Sequence, residues 1–360
     1  VPNVADGPSS PGLDYRSAGV DIDVADDLLA GVRRAIERTH GPRVLGGLGH
    51  FGGFYRIGPA GAEATLVASI DSVGTKLRVA ILANWHEGIG ADIVHHCVND
   101  ILACGARPLF FLDYFATGKL DPQVAATVIE GIAAACQEFG IALLGGETAE
   151  MPGIYHGEDY DLAGTIVGLV EAGRIIDGAS IRAGDIVVGL PSDGFHTNGY
   201  SLIRAALKLN GDEDSARERL RQVGGFGGGG SLAEALLTPH RCYLKDVAPL
   251  LETGLVTGMA HITGGGIPGN LSRIVPPGQV AEIDAASWSV PPLMTYVAEQ
   301  GRLSLDECYR VFNMGVGFIV VCRPDVSGQV LDSVPGSTII GKIAPTQGDQ
   351  RVVLSNLGLS

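Results

Sequence analysis

The densest run of potentially reactive side chains is Asp71-Ser72-Val73-Gly74-Thr75-Lys76, directly after the apolar stretch 65–70. A carboxylate, a glycine that lets the backbone approach a ligand, a hydroxyl and a lysine are the groups that hold Mg2+ and polyphosphate. The order is not that of a Walker A loop, and a solvated turn is the competing reading. Asp92, His96, Asn99 and Asp100 follow at spacings of 4, 3 and 1, which places them on one side of a helix. Surface stripe and ligand site both remain open for that side. His95-His96-Cys97 lacks a ligand spacing typical of zinc, and the surrounding carboxylates favour Mg2+.

Gly145-Gly146-Glu147-Thr148-Ala149-Glu150 places two carboxylates after an apolar run, where ligand crevices form at sheet ends. Ser192-Asp193-Gly194-Phe195-His196-Thr197-Asn198-Gly199 runs from an expected strand into an expected helix and offers N–H and hydroxyl donors to a monophosphate. His261-Ile262-Thr263-Gly264-Gly265-Gly266 repeats that logic after a second strand. Gly47-x-Gly49-x-x-Gly52 matches a dinucleotide fingerprint by letter, but Gly58-Pro59 and a strand follow it where a helix is needed. The glycine run 46–53 reads instead as a mobile loop able to close over phosphate.

Alternating helical and strand patterns position these groups. Val24, Leu28, Val32 and Ile36 mark a helix, and Ile89, Ile93, Cys97, Ile101 and Cys104 mark the buried face of another. Strands are expected at 65–70, 109–116, 141–144 (buried) and 162–170, with a helix at 124–139. In the second half, strands are expected near 186–190, 256–262, 316–322, 338–343 and 351–354, and helices near 200, 239–252 and 291–300. The acidic loop 158–161 reads as a solvated face. This pattern predicts α/β (α+β) architecture in two domains, 13–171 and 172–356, behind a disordered tail 1–12.

With 25 basic against 40 acidic residues, the net charge of −15 argues against a nucleic-acid or anionic-membrane surface. No apolar run approaches a membrane span, and nothing reads as a signal peptide. The six cysteines form no CxxC pair and read as reduced thiols. A soluble, cytoplasmic protein is expected.

Taken together, Tyr15 to Asp23, Gly46 to Gly49, Asp71 to Lys76, Cys97 to Asp100, Pro108 to Tyr114, Gly145 to Gly153, Tyr155 to Asp161, His196 to Leu202 and His261 to Gly266 resemble the aminoimidazole ribonucleotide synthetase (phosphoribosylformylglycinamidine cyclo-ligase) family over nearly the whole chain. The resemblance implies a homodimer whose N-terminal domains pair strands into a shared barrel, a mixed α/β C-terminal domain, and formylglycinamidine ribonucleotide and ATP as substrates. Mg2+ is implied as cofactor, with a monovalent cation left open. Under this reading Asp71, Asp100 and Glu147 hold the metal, and Lys76, His261 and Asp71 are catalytic. Arg33, Gly46, Gly47, Gly49, Gly74, Thr75, Lys76 and Asn99 meet ATP. Ser192, Gly194, His196, Thr197, Asn198, Gly264 and Gly265 meet the ribonucleotide. Two departures are visible: Arg33 stands where some relatives carry lysine, and His50 where others carry glycine. The rivals are a related phosphotransferase acting on thiamine monophosphate or selenide, a non-catalytic nucleotide-binding scaffold, and a zinc hydrolase built on His95 and His96.

Overall fold

A computed structural model describes residues 13–20, 22–46, 49–57, 64–226 and 230–359. The tail 1–12 and Gly47 of the glycine loop lie outside the described residues. The first sheet contains β1 (Val44–Leu45), β2 (Gly53–Ile57), β3 (Ala64–Ser72), β4 (Arg107–Thr117), β5 (Ala142–Glu150) and β6 (Tyr160–Glu171), in the order β1-β2-β3-β6-β4-β5. The second contains β7 (Ile186–Pro191), β8 (Val256–His261), β9 (Gln279–Asp284), β10 (Val316–Cys322), β11 (Thr338–Pro345) and β12 (Val352–Ser355), in the order β12-β9-β11-β7-β10-β8. Each sheet has one parallel neighbour pair, β4 with β5 and β12 with β9, so both are mixed.

Helices α1 (Ile22–Glu37), α2 (Lys76–Ala83), α3 (Ile89–Ala103) and α4 (Pro122–Glu138) belong to the first half. Those of the second are α5 (Tyr200–Ala206), α6 (Glu213–Leu220), α7 (Leu232–Leu237), α8 (Leu244–Thr253), α9 (Gly266–Leu271), α10 (Pro292–Gly301), α11 (Leu305–Val311) and α12 (Ser327–Ser333). Helix α4 starts at Pro122, two residues before the expected 124, because Asp121 caps it. Pro122 needs no N–H donor at the first turn, and Asp121 Oδ1 accepts from the N–H groups of Gln123 and Val124 at 2.8 and 3.2 Å.

Strict alternation along β6 turns Leu162, Gly164, Ile166, Gly168 and Val170 inward onto the helical layer. Gly164 and Gly168 are small because Phe111 and Ile101 fill the space a Cβ would take. Strand β10, between β7 and the edge strand β8, is buried along its whole length, so its apolar run is continuous rather than alternating. All six cysteines are free thiols.

Two expectations change. The run 141–144 is not a buried strand with Gly145-Gly146-Glu147 beyond its end: β5 continues to Glu150 and is a largely exposed edge strand. Its apolar residues signal β structure, but an edge strand on an uncovered sheet face leaves them in the open. The helix expected from 239 begins only at Leu244. Pro239 interrupts the chain, and the His240 and Tyr243 N–H groups are captured by Asp92 and Asn99 of α3.

Candidate active site

Helix α3 carries the site. Its polar stripe is no surface stripe, since Asp92, His96, Asn99 and Asp100 are all buried. The apolar side of α3 packs under the first sheet, and the polar side is pressed against loops of the second half. Each stripe residue makes a specific contact with the second half. Asp92 bonds Lys76 and the His240 N–H, His96 meets Thr197, Asn99 meets the 241–243 segment, and Asp100 meets His261.

Asp71 and Asp100 converge as the sequence implied. Asp71, at the end of β3, shares the inward face with Ser69, whose hydroxyl donates to Asp100 Oδ2 at 3.0 Å. His96 Nε2 lies 2.9 Å from Asp71 Oδ2, off the hydrogen-bonding direction, and 4.0 Å from Asp100 Oδ2. Burial opposes a charge on His96, but Asp71, with help from Asp100 and Asp92, overrides it and raises the ring to about 9. Burial likewise acts to raise Asp71, yet the close positive charge of His96, the Ser72 N–H and His261 together hold its carboxyl below the ordinary value.

A continuous chain of side chains leads on from this pair. His96 Nδ1 is 2.7 Å from Thr197 Oγ1, Thr197 Oγ1 is 3.3 Å from His240 Nδ1, and His240 Nε2 is 2.9 Å from His261 Nε2. His261 Nδ1 completes the chain 2.9 Å from Asp100 Oδ1. One proton assignment satisfies every link. His261 donates to Asp100 and accepts from His240, His240 accepts from Thr197, and a doubly protonated His96 donates to Thr197 and faces Asp71. Burial holds His261 below its ordinary value against the opposing pull of Asp100, and pushes His240 and His196 well below it.

The other expected site residues divide. Ser192, Gly194, His196, Thr197 and Asn198 form a loop that abuts the 263–265 turn: a Cβ on Gly264 would sit 3.5 Å from Asn198 Oδ1. Gly194 (φ +76°) and Gly265 (φ +100°) use the left-handed backbone these turns require. An open cleft of about 380 Å³ lined by Gly194, Ser231, Glu234, Thr238 and Pro291 borders the loop. Gly74 and Thr75 are exposed at the start of α2, with Thr75 Oγ1 3.1 Å from Ser201 Oγ. Gly46 and Gly49 are exposed turn residues, and Arg33 lies on the exposed side of α1, 3.8 Å from Glu37.

Three residues are not where the expected roles need them. Lys76 is fully buried, its Nζ 2.8 and 2.9 Å from the Asp92 oxygens and 2.8 Å from the Thr238 carbonyl, so it braces the two halves and faces no phosphate cleft. Burial lowers Lys76 and raises Asp92, each opposed by the other's charge. The amide of Asn99 is committed to the Arg241 carbonyl (2.8 Å) and the Tyr243 N–H (2.9 Å). Glu147 does not join Asp71 and Asp100 within one chain. It pairs in register with Tyr114, an outward residue of β4, and so lies on the opposite sheet face, three strand spacings or about 14 Å from β3. His95 points away from His96, its Nδ1 2.5 Å from the His240 carbonyl, so the two do not form a zinc pair. His240 was missed altogether. It stands alone in Thr238-Pro239-His240-Arg241, and no local pattern distinguishes it.

Comparison with known proteins places this arrangement. The N-terminal domain of the AIR synthase related proteins matches residues 49–170, and their C-terminal domain matches residues 182–353. The chain belongs to the AIR synthase related family. A phosphoribosylformylglycinamidine cyclo-ligase of Rippkaea orientalis is 45% identical over 342 residues, covering 94% of this chain and 98% of that protein. One of Chromobacterium violaceum is 47% identical over 342 residues, covering 94% and 97%. Among solved structures, a chain of a HypE–HypF complex superposes with a TM-score of 0.61 at 17% identity, over 93% of this chain and 96% of that one. That likeness concerns the family's fold alone.

Proposed function

We propose that this chain is an ATP-dependent cyclo-ligase of purine biosynthesis, converting formylglycinamidine ribonucleotide to 5-aminoimidazole ribonucleotide with release of ADP and phosphate. The identity of 45% and 47%, each over 94% of the chain, to proteins named for that reaction carries the reading. A formamide oxygen is a poor leaving group. Accepting the γ-phosphoryl of ATP turns it into an imidate phosphate; the amidine nitrogen then attacks the same carbon, closes the five-membered ring and expels phosphate. The protein's task is to align the two substrates and neutralise charge.

Asp71 fits a hard divalent cation. It is a carboxylate with a half-exposed side chain at a strand end, and each of its oxygens, with one partner, keeps a further acceptor direction. Mg2+ held there would neutralise the polyphosphate, next to the exposed Gly74 and Thr75. Asp100 supports it from beneath, gripped by Ser69 and His261. The 192–198 loop and the 263–265 turn would take the ribose phosphate on backbone N–H groups. The units 13–171 and 172–356 would then each bring one face of the cleft.

A homodimer through the first sheet is part of this proposal. Ile70, Leu112 and Tyr114 line up on the face away from α3 and are 70%, 40% and 38% exposed. No helix among the described residues is long and apolar enough to cross a membrane; a cytoplasmic site of action goes with the proposed pathway. The test is an assay with Mg-ATP and formylglycinamidine ribonucleotide, scored for ADP and, by amine colour reaction, for aminoimidazole ribonucleotide. ADP formed without the ribonucleotide, or no cyclised product, overturns the reading.

A further inference from the structure

The loop 192–199 and the 263–266 turn come from distant parts of the chain, and the link 312–315 between α11 and β10 lies against both. A Cβ on Gly199 would fall 2.6 Å from the Phe312 ring, and one on Gly266 would fall 3.1 Å from the Phe312 carbonyl oxygen and 2.0 Å from that of Tyr309. Two asparagines at these contacts, Asn270 of α9 and Asn313 of the link, are 0% and 4% exposed. A buried carboxamide is costly unless its donors and acceptor are used. Both are used, chiefly on the two loops. Asn270 Nδ2 shares its two protons among the carbonyls of Gly266 (2.8 Å), Thr263 (3.2 Å) and Gly264 (3.4 Å), and its Oδ1 accepts from Thr263 Oγ1 at 3.1 Å. Asn313 Nδ2 donates to the Gly194 carbonyl at 3.0 Å, while its Oδ1 accepts from Ser192 Oγ (3.1 Å) and the Gly315 N–H (2.9 Å).

We propose that Asn270 and Asn313 are positioning residues for the ribonucleotide, fixing the two loops in the orientation that presents their free N–H groups to its ribose phosphate. The inference rests on the seat given to that phosphate in the cyclo-ligase reading. In a planar trans peptide the N–H of one residue points opposite the carbonyl of the residue before it. Drawing the Thr263 and Gly264 carbonyls to Asn270 therefore turns the Gly264 and Gly265 N–H groups away from the interior. Both residues are half-buried, and among the described residues neither N–H has a hydrogen-bond partner. Glycines have little conformational preference of their own to hold such a turn, so the carboxamide supplies what they lack. Asn313 acts on the Gly194 carbonyl in the same sense. It also takes the Ser192 hydroxyl proton, which leaves that oxygen an acceptor, suited to a ribose hydroxyl.

The test uses the full chain. Asn270→Asp and Asn313→Asp each keep the side chain's size and one acceptor but set a carboxylate oxygen against the loop carbonyls. Each should raise KM for formylglycinamidine ribonucleotide about tenfold or more and leave KM for ATP within about twofold of wild type. Asn210→Asp, at an exposed asparagine, adds the same charge and should change neither. Binding is read without turnover by adding ribose 5-phosphate to protein labelled with carbonyl-13C threonine and 15N glycine. That label selects the four Thr–Gly pairs, so Gly264 is followed with Gly118, Gly254 and Gly258 as controls. In the wild type the Gly264 amide signal should move saturably while the controls stay, a readout that stands even if the variants fail to fold. In folded Asn270→Asp the shift should be lost. A Gly264 signal unmoved by millimolar ribose 5-phosphate, a shift retained in folded Asn270→Asp, or equal rises in both KM values overturns the inference. Absence of cyclised product with the Gly264 shift intact in the wild type and lost in Asn270→Asp overturns the cyclo-ligase reading alone.

Discussion

Lys76 and His96 have opposite relations to water and charge. Lys76 is sealed in with Asp92 and the Thr238 carbonyl, so Lys76→Met strands a buried carboxylate and should cost about 3–5 kcal/mol of stability in urea unfolding. Adding Asp92→Leu should recover part of that loss. A Lys76→Met protein of wild-type stability that has lost turnover would return the lysine to a phosphate-binding role. His96 is raised by folding from 6.5 to about 9, so it binds a proton that the unfolded chain gives up above pH 6.5. Its contribution, about 3 kcal/mol at most, is complete below pH 6.5 and disappears as pH rises through 9. His196, His240 and His261 are shifted the other way, and stability falls as pH drops below 6.5 because only the unfolded chain takes up their protons. The groups facing His96 are Asp71, Asp92, Asp100, His240 and His261. The metal-free protein should therefore be most stable near pH 6.5, and His96→Gln should flatten the alkaline limb of a melting-temperature profile. A stability that climbs from pH 6.5 to 9 would contradict this assignment.

At the scale of elements, the position of α3 depends on how closely α4 can approach it. A Cβ on Gly90 would fall 2.3 Å from the Val128 carbonyl oxygen and 2.4 Å from the Ile132 nitrogen, whereas one on Gly131 would meet Gly90 at 3.4 Å. Gly90→Ala must push two backbones apart and should cost about 1–3 kcal/mol or more. Gly131→Ala should be neutral, or stabilising by up to about 1 kcal/mol through helix propensity. Matched denaturation curves of the two variants check the contrast, and equal effects would mean the helices do not cross there. Because α3 carries Asp92, His96, Asn99 and Asp100, Gly90→Ala should also disturb the contacts at the seam.

For the whole molecule, the open face of the first sheet is the feature that most needs a partner. Leu112→Glu places a charge in the middle of that face, between Thr165 and Gly145 in register, without touching the core. If two copies associate there, sedimentation should show the wild type as a dimer and the variant as a monomer that keeps its melting cooperativity. A wild type that sediments as a monomer at micromolar concentration would remove the dimer from the proposal.

The sequence by itself was enough for the two-part α/β architecture, most strands and the longer helices, the family, and the meeting of Asp71 with Asp100. These depend on period, turn chemistry and ordered motifs, all local properties of the chain. Tertiary structure alone decided that Lys76 and Asn99 are interior braces, that Glu147 faces the other side of the sheet, and that the polar stripe of α3 is buried. It alone brought His240 to His261 across 21 residues of chain and His261 to Asp100 across 161. Periodicity shows which side of a helix is polar, but water and a second domain satisfy polar groups equally well. Only the packed chain distinguishes them.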